Sequence, residues 1–211
     1  MQKAFRLPEL PLTANSTNRK MQTSYTIRQG KIQDAPVITQ LIIQAMTPEC
    51  CLYFCGREHS IEEFAQMMQQ LVERTDTQYS YLNTLCAVDS HDRVIGISVS
   101  YDGALLHSLR QRFIDAVSIT FGKQLDGMAD ETSAGELYLD SLAVHPSAQG
   151  RGIATALLDA TAEKARQMGV GPLGLLVDTG NPRAERLYLR CGFRQVGTNR
   201  WGGHNMKHLQ R

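Results

Sequence analysis

The chain has no excess of charge of either sign. Among 211 residues, 22 Lys and Arg stand against 21 Asp and Glu, for a formal net charge of +1. That balance removes the electrostatic ground for a dedicated nucleic-acid binder. No run of apolar residues reaches the length of a transmembrane helix, so no membrane partner is expected. The first residues, MQKAFRLPELPLTANSTNRK, hold no continuous apolar stretch and do not read as a secretory signal, which makes the cytoplasm the expected compartment. Cysteines are few and odd in number, at positions 50, 51, 55, 86 and 191. Without an export signal they argue against a disulfide framework. The cluster Cys50, Cys51 and Cys55 has the wrong spacing for a zinc ribbon, and no His pair lies at zinc-finger spacing, so no metal is expected. Internal repeats are absent, and so is the GxxxxGK[ST] string of a P-loop.

What is present is a globular composition, 42% hydrophobic and 20% charged. Residues 1–22 are polar and without periodicity, with Lys3, Arg6, Arg19 and Lys20 against Glu9. They read as a flexible basic leader before a single domain over 23–211. Residues 24–28 alternate as a short strand. Asp34 is placed to cap a helix with Pro36 in its first turn, and Val37, Ile38, Leu41, Ile42 and Ala45 repeat at helical spacing. Ser60 and Glu63 form a capping-box pair for a second helix. Residues 84–88 and 94–101 read as a hairpin around Asp89-Ser90-His91-Asp92. A helix over 104–120 and a Gly-, Asp- and Ser-rich loop to 135 form an insertion before a strand over 136–144. Helix, strand, helix and two short strands complete the chain. The pattern predicts an α/β (mixed α+β) fold, a central mixed, mostly antiparallel sheet of about seven strands with helices on both faces.

The chemistry-bearing segment is Glu136 to Phe193. After the 136–144 strand come Gln149-Gly150-Arg151-Gly152-Ile153-Ala154-Thr155 and then a helix with Leu157, Ala160, Ala165 and Met168 on its inner side and Gly169 at its end. Glycines before a helix let a ligand reach the backbone, and the first N–H groups of that helix are unpaired at the positive end of its dipole. Together they make a phosphate cradle. A dinucleotide fingerprint fits poorly, because residue 155 is Thr and residues 145–149 separate the strand from the first glycine.

Gln149-x-x-Gly152-x-Ala154 resembles the (Gln/Arg)-x-x-Gly-x-(Gly/Ala) motif of the GNAT N-acetyltransferase superfamily. The preceding strand Tyr138–Val144, the later Asn181 and Ala184-x-x-Leu187-Tyr188-x-x-x-Gly192-Phe193, and the terminal Met206–Leu209 resemble the same family. The resemblance covers 136–209 and implies an acetyl-CoA-dependent N-acetyltransferase acting on a primary amine of a small-molecule or peptide acceptor, by direct transfer. The alternative is a non-catalytic CoA-binding module on the same fold. By resemblance, backbone N–H groups of Gln149, Gly150, Arg151, Gly152, Ile153, Ala154 and Thr155 hold the pyrophosphate. Arg151 either adds charge or faces solvent. The backbone of Leu142, Ala143 and Val144 pairs with the pantetheine like an added strand. Asn181, with Arg183 beside it, meets the pantetheine arm, and Asn181 is also a good helix cap. Tyr188 is implied as general acid near the CoA sulfur, on a helix face shared with Ala184, Leu187 and Cys191.

Along the 136–144 strand, Glu136, Tyr138, Asp140, Leu142 and Val144 alternate onto one face. Asp140 sits mid-strand among apolar neighbours, an unusual place for a carboxylate. It is the candidate general base, with Glu136 as second; pairing with an arginine is the structural alternative. A backbone N–H near Val144 is the candidate oxyanion donor. His107, Arg110 and Arg112 on the insertion helix either meet an acidic group of the acceptor or form a solvated face, the second being favoured. Exposed terminal strands leave a homodimer open.

Overall fold

In the computed structural model, which describes residues 24–211, the elements follow in the expected order. The reading of residues 1–22 as a leader lies outside the described residues. The strands are β1 (Thr26–Gln29), β2 (Thr84–Val88), β3 (Val94–Asp102), β4 (Leu137–Val144), β5 (Leu173–Asp178), β6 (Arg194–Trp201) and β7 (His204–Gln210). The helices are α1 (Ala35–Met46), α2 (Pro48–Cys55), α3 (Ile61–Glu73), α4 (Leu106–Phe121), α5 (Ile153–Met168) and α6 (Pro182–Arg190). One sheet holds all seven strands in the order β1-β2-β3-β4-β5-β7-β6. Every neighbouring pair is antiparallel except β4 and β5, which are joined by the α5 crossover. A doubly wound parallel sheet, which a dinucleotide fold requires, is not formed.

Helices cover both faces. On one side, Phe64, Met67, Met68 and Leu71 of α3 join Ile38, Leu41 and Ile42 of α1 over Ile97 and Val99 of β3. On the other, Leu157 and Leu158 of α5 pack on Leu85, Val144, Leu137 and Leu139. Met168, in the last turn of α5, is exposed instead. The α3 capping box forms as expected: Glu63 N–H donates to Ser60 Oγ at 3.1 Å and Ser60 N–H to Glu63 Oε2 at 2.7 Å. Such a cap contributes about 1 kcal/mol. Asp34 stands at the N-cap of α1 but does not cap it. Its carboxylate accepts from the Arg28 guanidinium at 2.6 and 3.1 Å and from Lys31 N–H at 2.8 Å. A guanidinium is the stronger donor, so it wins the carboxylate. Cys51 and Cys55 are buried beside Phe54 as core thiols, and among the described residues no group of three or more His, Cys, Asp or Glu is placed to hold a metal. No single helix there is long and apolar enough to cross a membrane.

Two further expectations fail, and both matter for the site. The first is the alternation along β4. Val99 pairs with Ser141 and Ser100 with Leu139, so Asp140 is the extra residue of a β-bulge. The bulge reverses the phase of the strand. Tyr138 faces the α4 side, whereas Leu142 and Val144 face α5 with Leu137 and Leu139. The five residues therefore do not share a face. The second is Arg110, which neither meets solvent nor is free for an acceptor. Its side chain is only 4% exposed and donates to Glu131 Oε2 and the Ala129 carbonyl, both at 2.8 Å, and to Asp130. His107 and Arg112 do lie outward, paired with Asp130 at 3.2 Å and Asp76 at 3.0 Å. The insertion is thus a helix plus a strap held to the sheet, with Tyr101 Oη donating to Glu131 Oε1 at 3.1 Å and Asn199 Nδ2 to the Asp130 carbonyl at 2.9 Å.

Candidate active site

The cradle forms where the glycines precede α5. Gly150 and Gly152 both adopt positive φ, 75° and 79°, which turns the chain into the helix. A Cβ at Gly150 would meet nothing within 4 Å, so the approach to the backbone is open. Gly152 stands at the N-cap without a side-chain cap bond, leaving the first N–H groups of a sixteen-residue helix for a ligand. Ile153 is buried and anchors the turn, Ala154 is half-buried, and Thr155 is exposed, accepting from the Cys191 thiol at 3.8 Å. Arg151 is exposed and its guanidinium donates to the Ser147 carbonyl at 2.8 Å.

Beside the cradle the sheet opens. β4 and β5 pair only at Leu137↔Leu173 and Tyr138↔Gly174, and no later residues of the two strands pair. The direction of the β4 backbone follows from its pairing with β3. His145 N–H bonds the Ile95 carbonyl at 2.9 Å, so Gly96↔Val144 is a pair that exchanges no bonds. By the same parity, Val144 and Leu142 turn their N–H and C=O groups away from β3, toward the opening. The Val144 carbonyl is already taken: the side-chain amides of Gln44 and Gln149 both donate to it at 3.1 Å. What remains for an extended ligand is the Val144 N–H and both polar groups of Leu142. The Ala143 side chain points the other way, into the α1–α3 core.

The bulge places the Asp140 carboxylate on the α1–α4 side. It accepts from Ser141 Oγ at 2.9 Å and from Gln78 Nε2 at 3.3 Å. Both partners are neutral, and among the described residues no arginine reaches it. Burial first, and the charge of Glu131 second, push its pKa up to about 7. Glu131 itself is raised by burial, although Arg110 opposes the shift. The phenols of Tyr79, Tyr101 and Tyr138 surround this region and are held well above their usual range by burial and by Asp140 and Glu131.

Glu136 is used differently. It lies just before β4, and its carboxylate fills the space over Gly174, where a Cβ would fall 1.8 Å from Oε2. Thr132 Oγ1 donates to Oε1 at 2.6 Å, Gln210 Nε2 donates to Oε2 at 2.8 Å, and His208 Nε2 lies 2.8 Å from the same oxygen. A carboxylate with its oxygens so occupied ties the strap to β7 and is a poor candidate base. Tyr188 packs as expected with Ala184, Leu187 and Cys191, its ring 5.7 Å from Phe193 and edge-on. Burial pushes its hydroxyl up to about 12, so it stays protonated at neutral pH. The Tyr138 phenol lies within electrostatic reach of both Asp140 and Tyr188. Asn181 caps α6 by accepting from Ala184 N–H at 3.1 Å, and its side-chain N–H groups remain for a ligand; Arg183 is exposed beside it.

Gln78, Gln44 and Glu131 escape a reading of the sequence. Gln78 lies 62 residues from Asp140, in a segment without motif, and Glu131 sits in a loop whose composition reads as solvated.

The arrangement is a mixed sheet split between its two parallel strands, with a glycine turn and an uncapped helix start after the first of them. The chain belongs to the acetyltransferase (GNAT) family, which it matches over residues 57–193. A crystal structure described as an acetyltransferase superposes with a TM-score of 0.70 at 28% identity, covering 88% of this chain and 98% of that one. Acetyltransferase Atu2258 of Agrobacterium fabrum is 40% identical over 72 residues, 34% of this chain and 51% of the relative. A mycothiol acetyltransferase of Propionibacterium freudenreichii is 39% identical over 74 residues, 34% of this chain and 23% of the relative. The chain thus spans no more than about half the length of these curated relatives.

Proposed function

We propose that the chain is an acetyl-CoA-dependent N-acetyltransferase that acts by direct transfer to a primary amine of a small molecule or peptide. The observation that carries this reading is Asp140: a half-buried carboxylate at a bulge beside a split in the sheet, its pKa pushed up to about 7. The residues present fit the ligand. The open turn at Gly150 and Gly152 and the uncapped start of α5 suit its pyrophosphate. The Leu142 backbone, turned toward the same opening as the Val144 N–H, suits an amide of its pantetheine.

When bound, acetyl-CoA supplies the acetyl group as a thioester. An alkyl amine of pKa near 10.4 is unprotonated in only about one molecule in ~10³ at pH 7. Asp140, its pKa pushed up toward neutral, removes the amine proton. The Val144 N–H faces the opening and steadies the developing oxyanion. The Tyr188 hydroxyl, kept protonated by burial, gives its proton to the departing sulfur. No nucleophile on the chain is needed; Cys191 lies on an apolar helix face and packs.

Calorimetric titration with acetyl-CoA, with NAD in a parallel cell, tests the ligand. Micromolar binding of acetyl-CoA and none of NAD is expected; the reverse sinks the reading. Asp140→Asn then separates an enzyme from a binding module, since only an enzyme has turnover to lose while its affinity for acetyl-CoA stays.

A further inference from the structure

Gln78 is buried to 2% exposure in the turn between α3 and β2. Its amide nitrogen donates to Asp140 Oδ2 at 3.3 Å. Its amide oxygen Oε1 is buried and has no hydrogen-bond partner among the described residues. The two facts are linked. An ionised Asp140 can only accept, so the nitrogen of Gln78 must face it and the oxygen must face away. The turn itself is held in place. Thr77 Oγ1 donates to the Leu71 carbonyl at 2.8 Å, and Asn83 Nδ2 donates to the carbonyls of Thr77 at 2.9 Å and Gln78 at 3.2 Å. The side chain is therefore pre-positioned at a cost, because a buried acceptor without a donor destabilises the fold. Such a group next to the candidate base is suited to a ligand that brings the missing donor.

We propose that Gln78 is an acceptor-binding residue: its Oε1 accepts one N–H of the incoming amine while Asp140 accepts another, so that the site selects primary amines over secondary ones. The inference deepens the transferase reading and rests on it. A neutral primary amine has two N–H groups and one lone pair. One N–H engages Asp140 and the other Gln78, which leaves the lone pair free to form the C–N bond. The C–S bond breaks with its electron pair leaving on sulfur, which takes the proton of Tyr188, and the nitrogen loses its proton to Asp140. A secondary amine has a single N–H and leaves one of the two acceptors unpaired, the situation in which hydrogen-bonding sites discriminate best.

The test compares methylamine with dimethylamine as acceptors, following CoA thiol release by the full chain and by Gln78→Met, an apolar residue of similar shape. The wild-type chain is expected to favour methylamine in kcat/KM. In Gln78→Met the methylamine value falls roughly ten- to a hundredfold, largely through KM, because a bond to a polar amine is lost. The dimethylamine value falls by a smaller factor, through the lost donor to Asp140 alone, so the preference shrinks. The melting temperature changes little, since an unpaired buried acceptor is removed together with a donor to Asp140. Gln78→Glu, which keeps an acceptor oxygen, retains the preference, and serves if the Met variant fails to fold. An unchanged preference in both variants means that Oε1 takes only water and overturns the inference while the transferase reading stands. Equal losses on both amines with a lowered melting temperature make Gln78 structural and also overturn it. A wild-type chain that binds no acetyl-CoA overturns the transferase reading instead.

Discussion

The two faces of the sheet hold enclosed ionisable groups in opposite ways, Lys164 buried and Asp140 half-buried. Under α5, Lys164 is only 8% exposed, and its ammonium donates to the Ser100 carbonyl at 2.9 Å, the Ser100 hydroxyl at 3.0 Å and the Asn83 carbonyl at 3.4 Å. The hydroxyls of Ser98 and Thr161 close on each other nearby at 2.7 Å. Across the sheet, Asp140 has two neutral donors, a repelling carboxylate in Glu131, and a neighbour in Gln78 that is itself half-satisfied. Burial shifts both groups, Lys164 down to about 8 and Asp140 up to about 7. The shifts alone do not tell the two apart. Their partners do. Lys164 has as many acceptors as it has donors to offer, which is how a fold uses a buried charge. Among the described residues Asp140 has two neutral donors and no cation, beside a buried amide oxygen that lacks a donor, which is how a site uses one.

Asp140→Asn should widen this contrast most. If the carboxylate is the base, kcat/KM falls by roughly 10²–10⁴-fold while the affinity for acetyl-CoA stays. In the wild type, kcat/KM rises with pH through about 7 as the base form appears. Stability moves the other way. The folded pKa lies above the usual 3.8, so between about pH 4 and 7 the folded state holds more protons than the unfolded one, and stability falls as pH rises. Asparagine does not titrate, so the melting temperature of the variant relative to wild type should climb across that window. A flat difference would mean Asp140 is solvated like any surface carboxylate. Tyr188→Phe comes next. It keeps the ring on Phe193 and removes only the hydroxyl. Loss of a general acid predicts a fall in kcat of roughly 10²-fold or more with KM for the amine little changed. An unaltered kcat would leave Tyr188 as a packing residue.

The site was legible in the sequence where its determinants are local. The glycines at 150 and 152, the cap at Asn181 and the shared face of Ala184, Leu187, Tyr188 and Cys191 depend on neighbours within a few residues, and all appear as read. The hairpin over β2 and β3 and the capping box of α3 are of the same kind. What escaped depends on distant partners. Strict alternation placed Leu142 and Val144 with Tyr138, because a bulge is set by the register with β3 and leaves no local trace. Glu136 looked like a second base until His208 and Gln210, more than seventy residues on, met its carboxylate. Arg110 reads as a polar helix position, yet the acidic strap that buries it begins 19 residues later.

Lys164→Met tests the satisfied side of the comparison. It strands the Ser100 carbonyl, so a loss of roughly 1–3 kcal/mol in stability is expected, read by denaturant unfolding. The pH profile of turnover should not move. The pH dependence of stability should. The folded pKa of Lys164 is about 8 against the usual 10.5, so between those values the unfolded state binds more protons and wild-type stability rises with pH. The methionine variant loses that rise. If its unfolding free energy equals that of wild type at neutral pH, the ammonium is not carrying the strand contacts assigned to it.

Glu131→Gln is the finest probe, because it alters the unsatisfied side without touching the base. The Glu131 charge is one of the two causes that hold Asp140 high, and burial is the larger. Glutamine can turn its oxygen to Arg110 and its nitrogen to the Tyr101 hydroxyl, which then accepts, and Arg110 retains Asp130. Removing the charge favours the ionised form of Asp140, so its pKa falls and the acid limb of kcat/KM moves to lower pH. The displacement is smaller than the distance from the ordinary carboxylate range, since burial persists. Glu136→Gln is the control: its carboxylate is not among the groups acting on Asp140, and the limb should stay in place. Equal shifts in the two variants would show that Asp140 responds to the net charge of the face, and would remove Glu131 as the neighbour that tunes it.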